Sequence, residues 1–204
     1  MSLLRNIFGT SKNEIWAQIA NDIGGEFKEG GFWDRGEISY RHGEWEIKLD
    51  TYTDDNEDSY TTYTRMRAPF VNKDKFYFGI YRTGFFSKAG KFFGMQDIEI
   101  GDKFFDDKFI IKSKNISKVK RLLAGDEIKT LIERQPNIHF KIEKLAGLFH
   151  SYYPEGVDAL YFECDGELND EQKIKDLFDL FSFTLERLVN IDSAYAHNPN
   201  SKFV

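Results

Sequence analysis

The densest group of ionisable side chains in this sequence is acidic. Five carboxylates lie within nine residues, uninterrupted by any basic residue: Asp50, Asp54, Asp55, Glu57 and Asp58. Carboxylate oxygens are the ligands that calcium and magnesium prefer, and a bound divalent ion can assist hydrolysis. One hypothesis is therefore a metal-assisted hydrolase with ligands at Asp50, Asp54, Asp55 and Asp58. The stretch lacks the D-x-D-x-D-G order of an EF-hand, so a solvated hairpin tip is the simpler interpretation of the acidic loop 50–58.

The remaining reactive side chains match no catalytic pattern. The four histidines include no H-x-x-x-H pair, and the chain contains neither a G-x-S-x-G serine motif nor a Walker loop. Cys164 is the single cysteine and shares one strand face with Leu160 and Phe162, where a cysteine is usually a small buried side chain. These patterns predict no catalytic residue and no cofactor, and they favour binding over catalysis.

The segment from Tyr60 to Met95 is basic and aromatic within an acidic chain. It contains seven basic residues and one acidic residue, a net charge of +6, whereas the whole chain carries −6. It also contains eleven of the 33 aromatic residues. Cations interleaved with aromatic rings can hold polyanions through phosphate contacts and stacking. The average charge argues against nucleic acid, so single-stranded nucleic-acid binding is only a second alternative.

Strand alternation sorts this segment into a candidate binding surface. A strand over Tyr60 to Ala68 places Tyr63, Arg65 and Arg67 on one face, and the next strand places Tyr77 and Tyr81 together. The alternative is a solvent-exposed sheet face without a binding role, whose arginines pair with Glu44, Glu46 or Asp50 of the preceding hairpin. A glycine-hinged loop, Gly84 to Gly94, supplies further candidates for partner docking, although its rings can equally join the core. The predicted binding residues are Tyr63, Arg65, Arg67, Tyr77, Tyr81, Phe85, Phe86, Phe92 and Phe93.

Several elements must position these residues. Ser11 and Glu14 form a capping box that begins a helix over about 12–23, and Asn169 and Gln172 begin a long amphipathic helix. Two short helices lie on either side of Gly125. Alternating apolar residues and turn signals predict strands at about 37–41, 44–53, 60–68, 76–82, 97–100, 107–113, 138–142 and 160–164. Because no βαβ alternation is present, the prediction is an α+β fold with a mainly antiparallel sheet. A single domain spans 1–204, with a weak boundary near Gly125 and a frayed tail over 192–204.

One segment resembles a known type of domain. Phe105 and Asp106 are followed by Phe109, Ile110 and Ile111, then by Leu122-Leu123 and the strand from Ile138 to Ile142. This arrangement over about Ile100 to Lys144 resembles certain uncharacterised bacterial domains. The resemblance implies a strand-helix-strand arrangement and no activity.

The sequence also bears on partners and location. It contains no apolar run long enough for a transmembrane helix, and its single cysteine excludes an intrachain disulfide, which fits the cytoplasm. Leu177, Leu180 and Phe183 widen the apolar surface of the long helix, so a homodimer through helix 171–190 is predicted. Taken together, the patterns favour a non-catalytic binding module that contacts a protein partner or an anionic small ligand.

Overall fold

The computed structural model describes residues 11–30, 36–56, 59–84, 95–135, 137–145 and 153–199. The helices in these ranges are α1 (Lys12–Ile23), α2 (Lys103–Lys108), α3 (Ile116–Leu122), α4 (Glu127–Glu133) and α5 (Glu171–Asn190). The strands are β1 (Glu26–Lys28), β2 (Glu37–His42), β3 (Trp45–Asn56), β4 (Ser59–Val71), β5 (Phe78–Arg82), β6 (Gln96–Asp97), β7 (Phe109–Ser113), β8 (His139–Lys144) and β9 (Val157–Asp165).

The nine strands form one open sheet in the order β1-β2-β3-β4-β9-β8-β5-β7-β6. Every adjacent pair is antiparallel. The predicted α+β class with a mainly antiparallel sheet is therefore confirmed. The two strands that follow Gly125, β8 and β9, insert between β4 and β5, so strands from both sides of this glycine share one sheet.

One face of the sheet, the core face, carries a continuous apolar row. Each member lies directly opposite the next on the neighbouring strand, and each is at most 1% exposed. The row runs Ile38, Leu49, Met66, Phe162, Phe140, Ile80 and Ile111. Because side chains alternate along a strand, this register directs every second residue of seven strands into the same core.

All helices in the described ranges contribute their buried side chains to this core. The α5 helix lies over the middle of the sheet, where Phe181 packs on Phe140 and the Phe178 ring meets Tyr40 edge-on. It also contacts α1 and α4. The predicted capping box begins α1: the Ser11 hydroxyl accepts from the Glu14 amide, and the Glu14 carboxylate accepts from the Ser11 amide. None of the helices in the described ranges is both long enough and apolar enough to cross a membrane.

Several predicted strand boundaries differ from the structure; β6, for example, covers Gln96–Asp97 and not 97–100. Pro69 does not end β4, which continues to Val71 and places Pro69 opposite Ala159. The pairing of β3 with β4 stops at Lys48 and Arg67. Beyond that point one edge of β4 lacks a paired strand in the described structure, and a proline without an amide hydrogen is tolerated there.

The predicted strand over 107–113 begins later, because a turn of helix precedes it. Asp102 caps α2 through the Phe105 amide, and the Asp106 carboxylate accepts from the amides of Ile100 and Gly101 at 3.0 Å. Phe105 is fully buried and lies 4.6 Å, between ring centroids, from Phe109. The Phe-Asp pair of the resemblance therefore has a structural role in this chain.

The start of the predicted frayed tail is packed. Asn72 forms a β-bridge with Ala194, and Ser193 and Ala194 are buried. Tyr195 also approaches the carbonyl of Val71 through its amide, at 3.4 Å. The ordered chain therefore continues past the end of α5.

Candidate functional site: a polar network on the second sheet face

The face opposite the core, called here the second face, is polar at its centre. Asp50, Arg65, Glu163, His139 and Tyr81 lie directly opposite one another across five strands. The adjacent row contains Lys48, Arg67, Tyr161 and Lys141. The name polar network is used below for the hydrogen-bonded or ion-paired side chains of Asp50, Tyr52, Arg65, Arg67, Lys141, Glu143, Tyr161 and Glu163.

Asp50 lies between two guanidinium groups. Its carboxylate accepts from Arg65 Nε at 2.6 Å and from Arg65 Nη2 at 3.1 Å, and it also accepts from Arg67 Nη2. Burial lowers the pKa of Arg67, and the charge of Asp50 offsets this only in part. Burial also acts to lower the pKa of Arg65, but the hydrogen bonds and charge of Asp50 raise it overall. Both groups remain cationic, because an arginine does not lose its proton in a protein.

Glu163 lies next to this cluster and accepts hydrogen bonds from two phenols. Tyr161 donates to Glu163 Oε2 at 2.7 Å, and Tyr52 donates to the same oxygen. Burial raises the pKa of Tyr161 and of Tyr52 far above the ordinary value, and the neighbouring Glu163 carboxylate raises each further. Both phenols are therefore fixed donors at neutral pH.

Cations and rings complete the network. Lys141 is 5% exposed, pairs with Glu143 at 2.9 Å and lies 4.8 Å from the centre of the Tyr161 ring. The Arg65 guanidinium lies 4.8 Å from the centre of the Tyr52 ring. Such contacts between a cation and an aromatic face are favourable, and more so where water is excluded. The network is therefore preorganised across four adjacent strands.

The second face is apolar at the end of the sheet away from Tyr63. Val71, Val157 and Ala159 pack there with Leu145 and Tyr153, which belong to the connection between β8 and β9. The polar network thus borders an apolar patch that is covered by the same chain.

The structure brings together three of the predicted binding residues. Tyr63 stacks on Tyr52 with ring centroids 5.2 Å apart, and Arg65 and Arg67 flank Asp50. Tyr81 shares their face but lies three strands away from β4, on β5, and is 5% exposed. Tyr77 does not join them, because its phenol bonds to Asp158 near the opposite end of β9. Phe85, Phe86, Phe92 and Phe93 lie outside the described residues.

The acidic candidates are not assembled as a metal centre in the described ranges. Asp50 is occupied by the two arginines, and Asp54 is exposed further along β3. The side chains of Asp55 and Asp58 lie outside the described residues. Among the residues that the structure does describe, no group of three or more histidine, cysteine, aspartate or glutamate side chains is arranged to hold a metal ion.

The cations at the centre of the second face are matched by carboxylates. Asp50 neutralises part of the charge of Arg65 and Arg67, and Glu143 pairs with Lys141. Lys48 pairs with Glu37 at 3.0 Å and with Glu46 at 3.5 Å. The charges on this surface therefore alternate in sign, and the surface is not uniformly basic. The pairing of Arg65 and Arg67 with Asp50 is the alternative that the sequence offered to a free binding surface.

Sequence reasoning left Tyr52, Tyr161, Glu163 and Lys141 out of the candidate site. Their alternation with core residues is readable in each strand, and it places them on the face opposite the core. The strand order could not be predicted, because β9 and β8 follow β4 by about ninety and seventy residues and no local pattern indicates that they pair with the earlier strands.

Comparison of the chain with protein-family models, with curated proteins and with solved structures gives no match. Fold and surface therefore define the class: an α+β protein whose antiparallel sheet has one helix-covered face and one face with a fixed polar network. The resemblance of Ile100 to Lys144 to bacterial domains stays a prediction.

Proposed function

We propose that this protein is a non-catalytic binding module that holds a protein partner on the second face of its sheet. The observation that carries the proposal is the asymmetry of the sheet. The described helices all contribute to the core on one face, whereas the centre of the other face presents arginines and tyrosines fixed by shared carboxylates. Arginine and tyrosine are enriched among the residues that dominate protein interfaces. Fixing their side chains in advance reduces the entropy lost on binding.

The alternating charge supports a protein partner over a polyanion. A phosphate backbone is held by an excess of cations, but each cation of the polar network already has a carboxylate within salt-bridge distance. A protein surface carries both signs and can match such a pattern. Anionic small ligands are disfavoured on the same ground, because Asp50 competes with them for Arg65 and Arg67.

The location and assembly of the module are part of the proposal. A cytoplasmic location fits a chain with one cysteine and no possible intrachain disulfide. The homodimer through helix 171–190 loses its original argument, because Leu177 and Leu180 are fully buried within one chain and only Phe183 is exposed, at 44%. The partner surface is therefore assigned to the second face and not to α5.

Site-specific photo-crosslinking tests the binding face. A photo-reactive amino acid is placed at Tyr63 on the second face, and a matched control is placed at Phe183 on α5. We expect one defined adduct from position 63 and none from position 183, and we expect Tyr63→Ala to weaken the purified partner's binding by about tenfold. Tyr63 is preferred over the two arginines, because removing these would leave Asp50 as a poorly compensated buried carboxylate. Adducts that form equally from both positions, or from neither, would overturn the proposal.

A further inference from the structure

A basic surface lies at one end of the sheet, on its helix-covered side. It is formed by three segments of the chain: 73–75, which precede β5, 114–121, which include α3, and 192–195, which follow α5. These segments contain six cations and two carboxylates, a net charge of +4 in a chain of −6. The rest of the chain therefore carries −10, so this surface differs sharply in charge from the remainder of the molecule.

Contacts within the surface hold its three segments together. Lys73 pairs with Asp192, and the Lys73 amide donates to the Ser193 carbonyl at 3.0 Å. Lys118 pairs with Asp74, and its ammonium also donates to Ser193 Oγ at 2.7 Å. Both carboxylates of the surface are therefore used in internal ion pairs.

The other four cations of the basic surface are exposed: Lys75, Lys114, Lys120 and Arg121. None of the four forms an ion pair with a carboxylate in the part of the chain that the structure describes. The pairing of Phe78 with Ser113 brings two of them close, because Lys75 lies three residues before this pair and Lys114 one residue after it. Unlike the arginines of the second face, these cations are available to an external anion.

An exposed apolar side chain lies among the cations. Ile116, in the first turn of α3, is 45% exposed, and Lys120 lies one turn further along the same side of the helix. Tyr195 is 41% exposed, and the Lys73 ammonium lies 5.2 Å from the centre of its ring. Cations combined with exposed apolar and aromatic side chains are typical of surfaces that bind anionic lipid bilayers.

We infer that the basic surface docks on an anionic lipid bilayer, with its four unpaired cations among the headgroups and Ile116 at the boundary of the acyl region. A protein partner fits this surface less well, because lysine is depleted in protein interfaces. Single-stranded nucleic acid stacks on free aromatic faces, but Lys73 and the His197 ring already flank Tyr195. The inference concerns a different surface from the second face and does not rest on the proposed function.

Sedimentation of the full chain with lipid vesicles tests the inference. The chain should bind vesicles that contain phosphatidylserine in about 0.01 M salt and leave them in about 1 M salt, because the screening length falls from about 30 Å to about 3 Å. Vesicles of phosphatidylcholine alone should not bind it. Each cation near an anionic bilayer contributes about fivefold to the binding constant, so Lys120→Gln combined with Arg121→Gln should weaken binding by about 25-fold.

A matched control separates the basic surface from the net charge of the protein. Arg41→Gln combined with Lys103→Gln removes the same charge from exposed positions on β2 and α2, outside the basic surface, and should leave vesicle binding nearly unchanged. Ile116→Gln leaves the charge unchanged and should weaken binding, because it removes the apolar contact with the bilayer. The thermal transition of each variant confirms its folding.

Two results would overturn the inference. One is a chain that does not bind the phosphatidylserine vesicles at low salt, or that loses binding equally in the two double variants. The other is binding to duplex DNA that is tighter than binding to the vesicles and insensitive to Ile116→Gln, which would assign the basic surface to nucleic acid. Neither result affects the photo-adduct expected from position 63, so the two proposals fail independently.

Discussion

Two carboxylates on the second face are each shared by two donor side chains. Asp50 accepts from Arg65 and Arg67, and Glu163 accepts from Tyr52 and Tyr161. Burying a charge is costly unless hydrogen bonds and opposite charge compensate it. Asp50 of β3 holds two donors of β4, and Glu163 of β9 holds Tyr52 of β3, so these two residues fix side-chain positions across the centre of the face.

The buried phenols predict a loss of stability in alkali. The pKa of Tyr161 is raised by burial and by Glu163, so the folded protein keeps a proton that the unfolded chain releases above pH about 10. The unfolded state then binds fewer protons than the folded state, and stability falls as pH rises. For Tyr161 the slope approaches about 1.4 kcal/mol per pH unit. Tyr52 adds less, because it is only half-buried and solvent screens its environment.

Urea denaturation between neutral pH and pH about 11 measures this slope, while phenolate absorbance reports ionisation. Tyr161→Phe serves as the control and should flatten the dependence. If the absorbance change of the buried phenols precedes unfolding and follows an ordinary tyrosine pKa, the structural explanation is wrong.

Side-chain alternation predicted which face of the sheet a residue lies on. It did not predict which residues of other strands lie next to it. Tyr63, Arg65 and Arg67 share a face as the period of two requires, and Ile47 and Leu49 lie in the core. The partner of Arg65 across β9 was not predictable, because the register of two strands about a hundred residues apart depends on the whole sheet. Tyr77 shows that alternation holds only within a strand. Its odd number would place it on the same face as Tyr81, but it precedes β5 and its phenol bonds to Asp158.

At the scale of elements, the broad apolar surface of α5 is covered by other parts of the same chain. Leu177, Leu180, Phe181 and Leu185 are all fully buried. The sheet covers one side of the helix, and α1 and α4 contact it from the same chain. The sequence correctly indicated burial on more than one side, but it could not identify the covering elements as parts of the same chain.

Two truncations on α5 test this account. Leu180→Ala should destabilise the protein by about 2 to 5 kcal/mol, because it leaves a cavity in a packed core. Phe183→Ala should cost less than about 1 kcal/mol, because the ring is 44% exposed. Chemical denaturation of both variants measures the difference. Equal losses of stability in the two variants would mean that Leu180 is not more deeply buried than Phe183.

The element boundaries that were missed have local causes. A proline ends a strand that is hydrogen-bonded on both edges, so Pro69 predicted the end of β4. It is tolerated within β4 because the pairing with β3 stops before it, at Arg67. The α2 turn was missed because its cap, Asp102, lies in the connection between the strands predicted over 97–100 and 107–113. Short elements of this kind depend on a few hydrogen bonds and carry little periodic signal.

At the scale of the whole molecule, the sheet joins the two parts of the chain on either side of Gly125. β9 pairs with β4, and β8 pairs with β5, so the later strands fill the middle of a sheet whose outer strands come earlier in the chain. The apolar row crosses these junctions at Phe162 and Phe140 without interruption. A break near Gly125 would therefore divide the core through its centre.

We accordingly predict one cooperative unfolding transition. In calorimetry the measured enthalpy should equal the van't Hoff enthalpy, which is the signature of a two-state unit. A fragment that ends at Gly125 should lack fixed tertiary structure by near-ultraviolet circular dichroism, because β4 and β5 would each lose a central neighbour and expose the apolar row. Two resolved transitions, or a folded fragment, would instead show that the weak boundary near Gly125 separates independent units. The distinction also bears on the second face, since Arg65 and Glu163 come from opposite sides of that glycine and lie side by side only while the sheet is whole.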